Sequence, residues 1–346
     1  MLATSRGQSF PYPGVHSELP AYRYTCEDRS VLVRPFCRYF VRWFVIWMPA
    51  AVPANLLTLG SSACMWAMIF MTAFSTGPAS LAGWCAVLMA GYVIYDHADG
   101  MHSRRTGTSS PLGEYLDHYT DIFHGGISVA VMFLVAGSAE SPLMIVVLWA
   151  VLLAGAATMA EERERGQLFF GLMGPLEAML LTWFFLVSWC WSGAAAWWHA
   201  PLAGGFTVFE CVMGAGAVGS VMTAVACVRR IGRVPAGPAW YAVSGAGLAA
   251  GCFYADGPWW LTVGVMTLHG ADFTGRVIAG HLRGTKRPQP DWVAVALVTA
   301  GVMAGASPLW TGVAAGVYLL VRAVMNTAKV FNVFGRHWRW VNPPAA

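Results

Sequence analysis

The chain has 346 residues, of which 57% are hydrophobic and only 11% charged, with a formal net charge of +4. So few charges on so long a chain exclude an ordinary soluble domain, and the small positive excess gives no footing to a nucleic-acid partner. A mean hydropathy of +0.55, with 17 Trp and 38 Gly, is the composition of a polytopic membrane protein, in which Trp gathers at the interface and small residues let helices approach. Cysteines at 26, 37, 64, 85, 190, 211, 227 and 252 form no C-x-x-C and no zinc-like cluster with His, and read as buried thiols.

Taken in chain order, the polar, Pro-rich N-terminal stretch does not read as a cleavable leader. Residues 34–49, RPFCRYFVRWFVIWMP, mix Arg34, Arg38 and Arg42 with large aromatics, the pattern of an amphipathic helix lying in the membrane interface; a short span of its own is the alternative. Apolar runs of about 20 residues, the length that crosses the hydrocarbon core, then recur. Ten are expected, near 54–75, 81–101, 112–136, 142–160, 169–191, 206–228, 237–254, 259–281, 291–307 and 308–328. Positive charge falls on one side of this layout. Arg6, Arg23 and Arg29 precede the spans, and Arg104 and Arg105, Arg163 and Arg165, Arg229, Arg230 and Arg233, Arg283, Lys286 and Arg287, and Lys329, Arg336 and Arg339 follow every second one. The intervening loops have no Lys or Arg, which places both termini in the cytoplasm. The expected organisation is a cytoplasmic N-terminal segment with the interfacial helix (1–50), a transmembrane catalytic domain (51–330) and a cytoplasmic tail (331–346).

The segment DHADGMHSRRTGTSSPLGEYLDHYTD, Asp96 to Asp121, interrupts this apolar pattern. Asp96 and Asp99 are three apart at the end of one span, and Asp117 and Asp121 four apart at the start of the next, so each pair shares a helix face. The short connection TGTSSP makes the two helices antiparallel neighbours and lets four carboxylates converge. Mutual repulsion near a membrane is relieved by divalent cations, and hard oxygen ligands select Mg²⁺ or Mn²⁺, with ligands enough for two ions. Such a pair commonly binds a pyrophosphate. Gly100 and Gly113 leave room for a ligand against the backbone, and Arg104 offers a planar fork to phosphate.

These residues resemble the CDP-alcohol phosphotransferases, whose signature is D-x-x-D-G-x-x-A-R, eight residues, then G-x-x-x-D-x-x-x-D. Here it reads DHADGMHSR, RTGTSSPL, GEYLDHYTD, with every spacing kept and Ser103 in place of Ala. The resemblance implies a helical membrane enzyme that moves a phospho-alcohol from its CDP ester to a second alcohol and releases CMP. It implies that Asp96, Asp99, Asp117 and Asp121 hold two metals, with Gly100, Ser103, Arg104 and Gly113 around the cytidine diphosphate. PANLLTLG (53–60) is similar to the family's P-N-x-x-T segment with one Ala inserted, which makes Asn55 a nucleotide contact. The resemblance also implies a homodimer.

Between the motif positions, RRT-x-x-S-x-PLGE followed by Asp117-His118 is similar to the choline/ethanolamine branch, apart from Tyr119 where that branch usually has Gly. Downstream, Gly174-Pro175-x-Glu177 is similar to a G-P-x-E in the same branch. The substrates so implied are CDP-choline or CDP-ethanolamine and diacylglycerol or alkyl-acylglycerol. The acceptor hydroxyl needs a base; His118 is the expected one, with Glu177 orienting its imidazole and Asp121 the second candidate; a structural part at a helix terminus is the alternative for Glu177. Another headgroup or acceptor within the family, and an ion-coupled transporter, are the competing readings. The membrane is the plasma membrane in a bacterium and the endoplasmic reticulum or Golgi in a eukaryote. His97, His102 and His124 flank the motif without an assigned part. Of the later charges, Asp272 and Arg276 are four apart and pair within their helix, while Glu210 and Arg322 sit near span ends where they can snorkel.

Overall fold

The helices begin and end where short polar residues, Pro and Gly punctuate the apolar runs. The computed structural model describes residues 24–285 and 288–335. Arg6, Arg23, Lys286, Arg287, Arg336 and Arg339, which bear on orientation, and most of the expected C-terminal tail lie outside the described residues. After strand β1 (Cys26–Asp28), helix α1 (Val33–Phe36) passes through a π-helical turn, Cys37–Val41, into α2 (Arg42–Trp47). Tyr39, Phe40, Trp43 and Trp47 are exposed on this unit.

Then come α3 (Ala54–Ala73), α4 (Ala82–Thr106), α5 (Pro111–Val135) and α6 (Pro142–Arg165), strand β2 (Leu168–Phe170), α7 (Pro175–Ser188) and α8 (Ala194–Trp198). Strands β3 (Pro201–Ala203) and β4 (Phe206–Thr207) precede α9 (Val208–Ile231), α10 (Ala236–Ala255), α11 (Trp259–Arg283), α12 (Val293–Met303) and α13 (Pro308–Phe334). Among the described residues, five segments are long and apolar enough to cross a membrane by themselves: Ala54–Ala73, Pro78–Thr106, Pro142–Arg165, Val208–Ile231 and Pro308–Phe334. The architecture is that of an all-α membrane protein. Two expected spans are much shorter than their apolar runs, α7 with 14 residues and α12 with 11.

The strands are a departure from a purely helical chain, and β1–β2 has a local reason. The expected span from 169 opens instead with Leu168, Phe169 and Phe170 paired in parallel to Cys26, Glu27 and Asp28, and the helix waits for Pro175. Strands β3 and β4 form a small antiparallel pair. Glu210 does not snorkel: it closes a capping box with Thr207, accepting that residue's N–H at 2.8 Å, at the start of α9.

Helices α4 and α5 both pack on α3 more than on each other, although the turn 107–110 joins them. That turn is built by Gly107, left-handed at φ 67°, and by Ser110, whose hydroxyl caps α5 by accepting the Gly113 N–H at 3.1 Å. The expected antiparallel neighbours are therefore splayed over a shared partner. The far side of α5 meets α11, which also packs on α6 and α13.

Tyr119 shows how tightly that contact is made. Its ring stacks on Tyr115 with centroids 5.1 Å apart, and a Cβ added to Gly275 would lie 2.6 Å from its Cε2. Gly275→Ala is expected to cost about 1–3 kcal/mol through overpacking, read as a lower melting temperature in detergent, and Tyr119→Gly in the same chain should restore it. Equal losses in the single and double variants would place the strain elsewhere.

A second polar cluster lies between α11 and α13. Asp272 is buried and accepts from Arg276 (2.6 Å), Arg322 (3.2 Å) and Asn326 (2.9 Å). The Asp272–Arg276 pair is thus present, whereas Arg322 turns inward to Asp272 and Asp291.

Candidate active site

The splay of α4 and α5 leaves a gap that acidic side chains fill. One carboxylate oxygen each from Asp96 on α4 and Asp117 and Asp121 on α5 lie within 4.8 Å of one another. Asp99 does not join this cluster. Its Oδ2 accepts the Thr58 hydroxyl at 2.5 Å, and its Oδ1 accepts the Gly100 N–H. With 3.6 residues per turn, a three-residue step leaves side chains about 60° apart around the axis, enough here to aim Asp99 at α3. Three of the four aspartates therefore converge, while the fourth ties the motif to the P-A-N-L-L-T segment.

The other motif residues surround this gap. Asn55 Oδ1 lies 3.1 Å from where a Cβ on Gly113 would stand, so a side chain at 113 would press on it. Arg104 folds back over Gly100, its Nη1 3.3 Å from that residue's would-be Cβ. Ser103 donates to the Gly100 carbonyl at 3.1 Å and accepts from Ser109 at 3.3 Å. The three clustered carboxylates fit a hard divalent cation such as Mg²⁺ or Mn²⁺ by the chemistry of their donor set.

Three histidines stand beside these aspartates, two of which, His97 and His124, the sequence left without a part. His97 Nδ1 stands 3.4 Å from Asp96, and His118 Nδ1 3.8 Å from Asp117. His124 bridges Asp121 at 3.3 Å and the Ser62 hydroxyl at 3.0 Å. A signal was present: each of the four aspartates is followed by a His at position +1 or +3. The exception proves to be His102, which instead meets the Val52 carbonyl at 2.7 Å and ties α4 to the loop before α3.

Glu177 requires a correction. It does not orient His118, because its carboxylate accepts the Ser30 hydroxyl (2.5 Å), the Leu32 N–H (2.9 Å) and the Gly174 N–H (2.8 Å). A glutamate in the first turn of α7 is drawn to free backbone donors, and here it also clips the N-terminal segment to that helix. Thr25 donates to the Gly166 carbonyl at 2.7 Å, and Arg29 and Arg230 both lie over the Phe169 ring. Residues 24–32 are thereby held alongside the site, with the Tyr24 ring 6.2 Å from that of His118. Burial first, then Cys26 and the Glu162, Glu114 and Asp117 carboxylates, hold the Tyr24 phenol well above its ordinary pKa, so it stays neutral. Glu177→Ala is expected to speed amide hydrogen exchange over 26–32 at least about tenfold, since hydrogen bonds to a charged group contribute roughly 1.5–3 kcal/mol. Unchanged exchange would mean that the strand pairing alone holds the segment.

Besides Asp117, the carboxylates of Glu114 on α5 and Glu162 on α6 approach His118. One oxygen of each and a ring nitrogen of His118 lie within 4.8 Å of one another, and all three side chains are buried. His118 Nε2 is buried without a hydrogen-bond partner among the described residues.

Residues 51–209 match the family model for CDP-alcohol phosphatidyltransferase. The chain carries a CDP-alcohol phosphatidyltransferase domain. The domain runs from the loop before α3 to the first residues of α9, and the motif lies inside it. Over 199 residues the chain is 27% identical to choline/ethanolaminephosphotransferase 1 of Saccharomyces cerevisiae, covering 55% of this chain and 51% of that protein. Cholinephosphotransferase 1 of the same yeast is 28% identical over 193 residues, covering 54% and 49%. CDP-diacylglycerol–serine O-phosphatidyltransferase of Encephalitozoon cuniculi is 30% identical over 176 residues, covering 49% and 46%. The chain thus spans about half the length of the curated relatives it matches.

Proposed function

We propose that this protein transfers phosphocholine or phosphoethanolamine from its CDP ester to the hydroxyl of diacylglycerol or alkyl-acylglycerol, releasing CMP. The observation that carries the reading is the convergence of Asp96, Asp117 and Asp121 beside a buried His118 whose Nε2 has no partner among the described residues. The likeness to choline/ethanolaminephosphotransferase 1 supports the headgroup.

The acceptor oxygen attacks the β-phosphorus; its bond to phosphorus forms as the bond to CMP breaks, and its proton passes to His118 Nε2. Asp117, beside Nδ1, takes the orienting part first expected of Glu177 and stabilises the imidazolium. Asp121 is the second candidate base, but His124 and the acidic cluster already engage it. Arg104, with Gly100, Ser103 and Gly113 around it, faces the phosphates, and Asn55 and Asp99 fix the nucleotide end. Asp96, Asp117 and Asp121, joined in the two-ion reading by Asp99, would hold Mg²⁺ or Mn²⁺. Bound there, such ions would supply charge neutralisation for the diphosphate and for the attacking and leaving oxygens. We place this site on the cytoplasmic side of a multi-pass protein that works as a homodimer.

CMP release by purified protein with diacylglycerol and Mg²⁺ or Mn²⁺ tests the reading, with CDP-choline and CDP-ethanolamine as donors and CDP-diacylglycerol plus serine as a third arm. Release from a CDP-amino-alcohol, lost on chelation, is expected. Release only in the third arm would favour the second reading, raised by the serine-type relative. Substrate-dependent ion flux without CMP would sink both.

A further inference from the structure

One run of the chain carries positive charge with no negative charge to answer it. Between Arg29 and Asp96 there is no Asp or Glu, yet Arg34, Arg38 and Arg42 recur at four-residue steps through α1, the π-helical turn and α2. All three are exposed, and none is ion-paired among the described residues. Arg34 acts on the Asp28 carboxylate only through space, and Arg38 lies over the Tyr39 ring, 5.5 Å from its centroid. Beside these arginines Phe40, Trp43, Ile46 and Trp47 are exposed as well.

Large apolar side chains next to unpaired guanidiniums select a partner. Nucleic acid or soluble phosphate would answer the arginines but leave the rings in water. A bilayer surface of net negative charge answers both: the rings enter the acyl boundary, the arginine stems snorkel along it, and the planar forks meet phosphate oxygens.

The opposite face of the same unit sits on the aspartate motif. Val41 and Val45 pack with Leu57 and with Ala98 of α4, and the Phe36 ring stands edge-on to His97 at 5.6 Å. Arg105 donates to the carbonyls of Ile46 and Met48, at the end of α2 where carbonyls lack helical partners. His102 meets the Val52 carbonyl a few residues on. The last turns of α4 are therefore held by the unit that carries the free arginines.

We propose that residues 33–47 form a docking surface for anionic phospholipid headgroups, and that lipid seated there tightens the end of α4 through Arg105. The docking needs only this surface and stands apart from the CDP-alcohol reading. Its consequence for the site rests on that reading, in which the same end of α4 presents Gly100, Ser103 and Arg104 to the diphosphate.

Amide hydrogen exchange of the full chain tests both parts, in nanodiscs of phosphatidylcholine and in nanodiscs with about one-third phosphatidylglycerol, at low ionic strength. With phosphatidylglycerol, exchange over 37–47 is expected to slow by about fivefold for each arginine engaged, and exchange over 100–106 to slow with it. Salt at about 1 M, where the screening length falls to about 3 Å, should abolish both effects. Arg38→Gln with Arg42→Gln should remove most of the slowing in both segments. Arg105→Gln should keep it over 37–47 and lose it over 100–106. Equal exchange in the two lipids overturns the docking surface, and slowing confined to 37–47 in the unaltered chain overturns the link to α4. Inorganic phosphate that slowed exchange as much in phosphatidylcholine nanodiscs would make this a free-phosphate site and overturn the lipid assignment. The two lipids are compared on the unaltered chain, so the folding of a variant does not decide the result.

Discussion

Asp121→Asn is expected to lower CMP release by about a thousand-fold, close to 4 kcal/mol at 1.36 kcal/mol per decade. The amide keeps the size of the carboxylate, so the packing of α5 against α3 should survive. What is lost is one negative charge from a cluster whose oxygens lie within 4.8 Å of one another, together with the carboxylate that His124 contacts at 3.3 Å. Two measurements separate these parts. Direct Mn²⁺ binding should weaken markedly in Asp121→Asn, and only about 10- to 100-fold in His124→Ala, which removes an outer partner of a ligand and no ligand itself. If Asp121→Asn bound Mn²⁺ as the unaltered protein does and still failed to turn over, Asp121 would be the base in place of His118.

Spacing made the motif legible, and spacing alone did not place Asp99. Positions three and four apart share a helix face closely enough to bring Asp96, Asp117 and Asp121 together. The remaining offset of a three-residue step, however, was enough for Thr58 to capture Asp99. A hydroxyl on another helix has no signature in the spacing of the aspartates. The helix positions were legible because apolar runs of spanning length are long-range patterns that no single residue decides. Contacts between distant segments were not: nothing in CED or LFF announces a parallel pairing 140 residues apart in sequence, and that pairing brings Tyr24 to His118. Glu177 stood out as a carboxylate in an apolar run, with a helix-terminus part as the alternative reading. The contacts follow the second of these, because a glutamate three residues after a helix N-cap serves backbone donors before it serves a distant side chain.

Asp272→Ala is expected to destabilise the protein by about 3–5 kcal/mol, the usual cost of stripping one partner from a buried ion pair. The Asp272 side chain is 0% exposed, against 22% for Arg276 and 31% for Arg322. One carboxylate thus receives both guanidiniums and the Asn326 amide. Removing it leaves two partly buried cations facing each other, and Arg322 keeps only Asp291 at 2.9 Å. The melting temperature in detergent should fall by on the order of 10 °C. Asp272→Asn, which retains an acceptor and the shape, should lose less, and Arg322→Met combined with Asp272→Ala should recover part of the loss by removing one stranded charge. Asp272→Ala should therefore melt early yet keep its metal affinity at low temperature. A variant that melted normally but lost metal would move this cluster from the scaffold into the site.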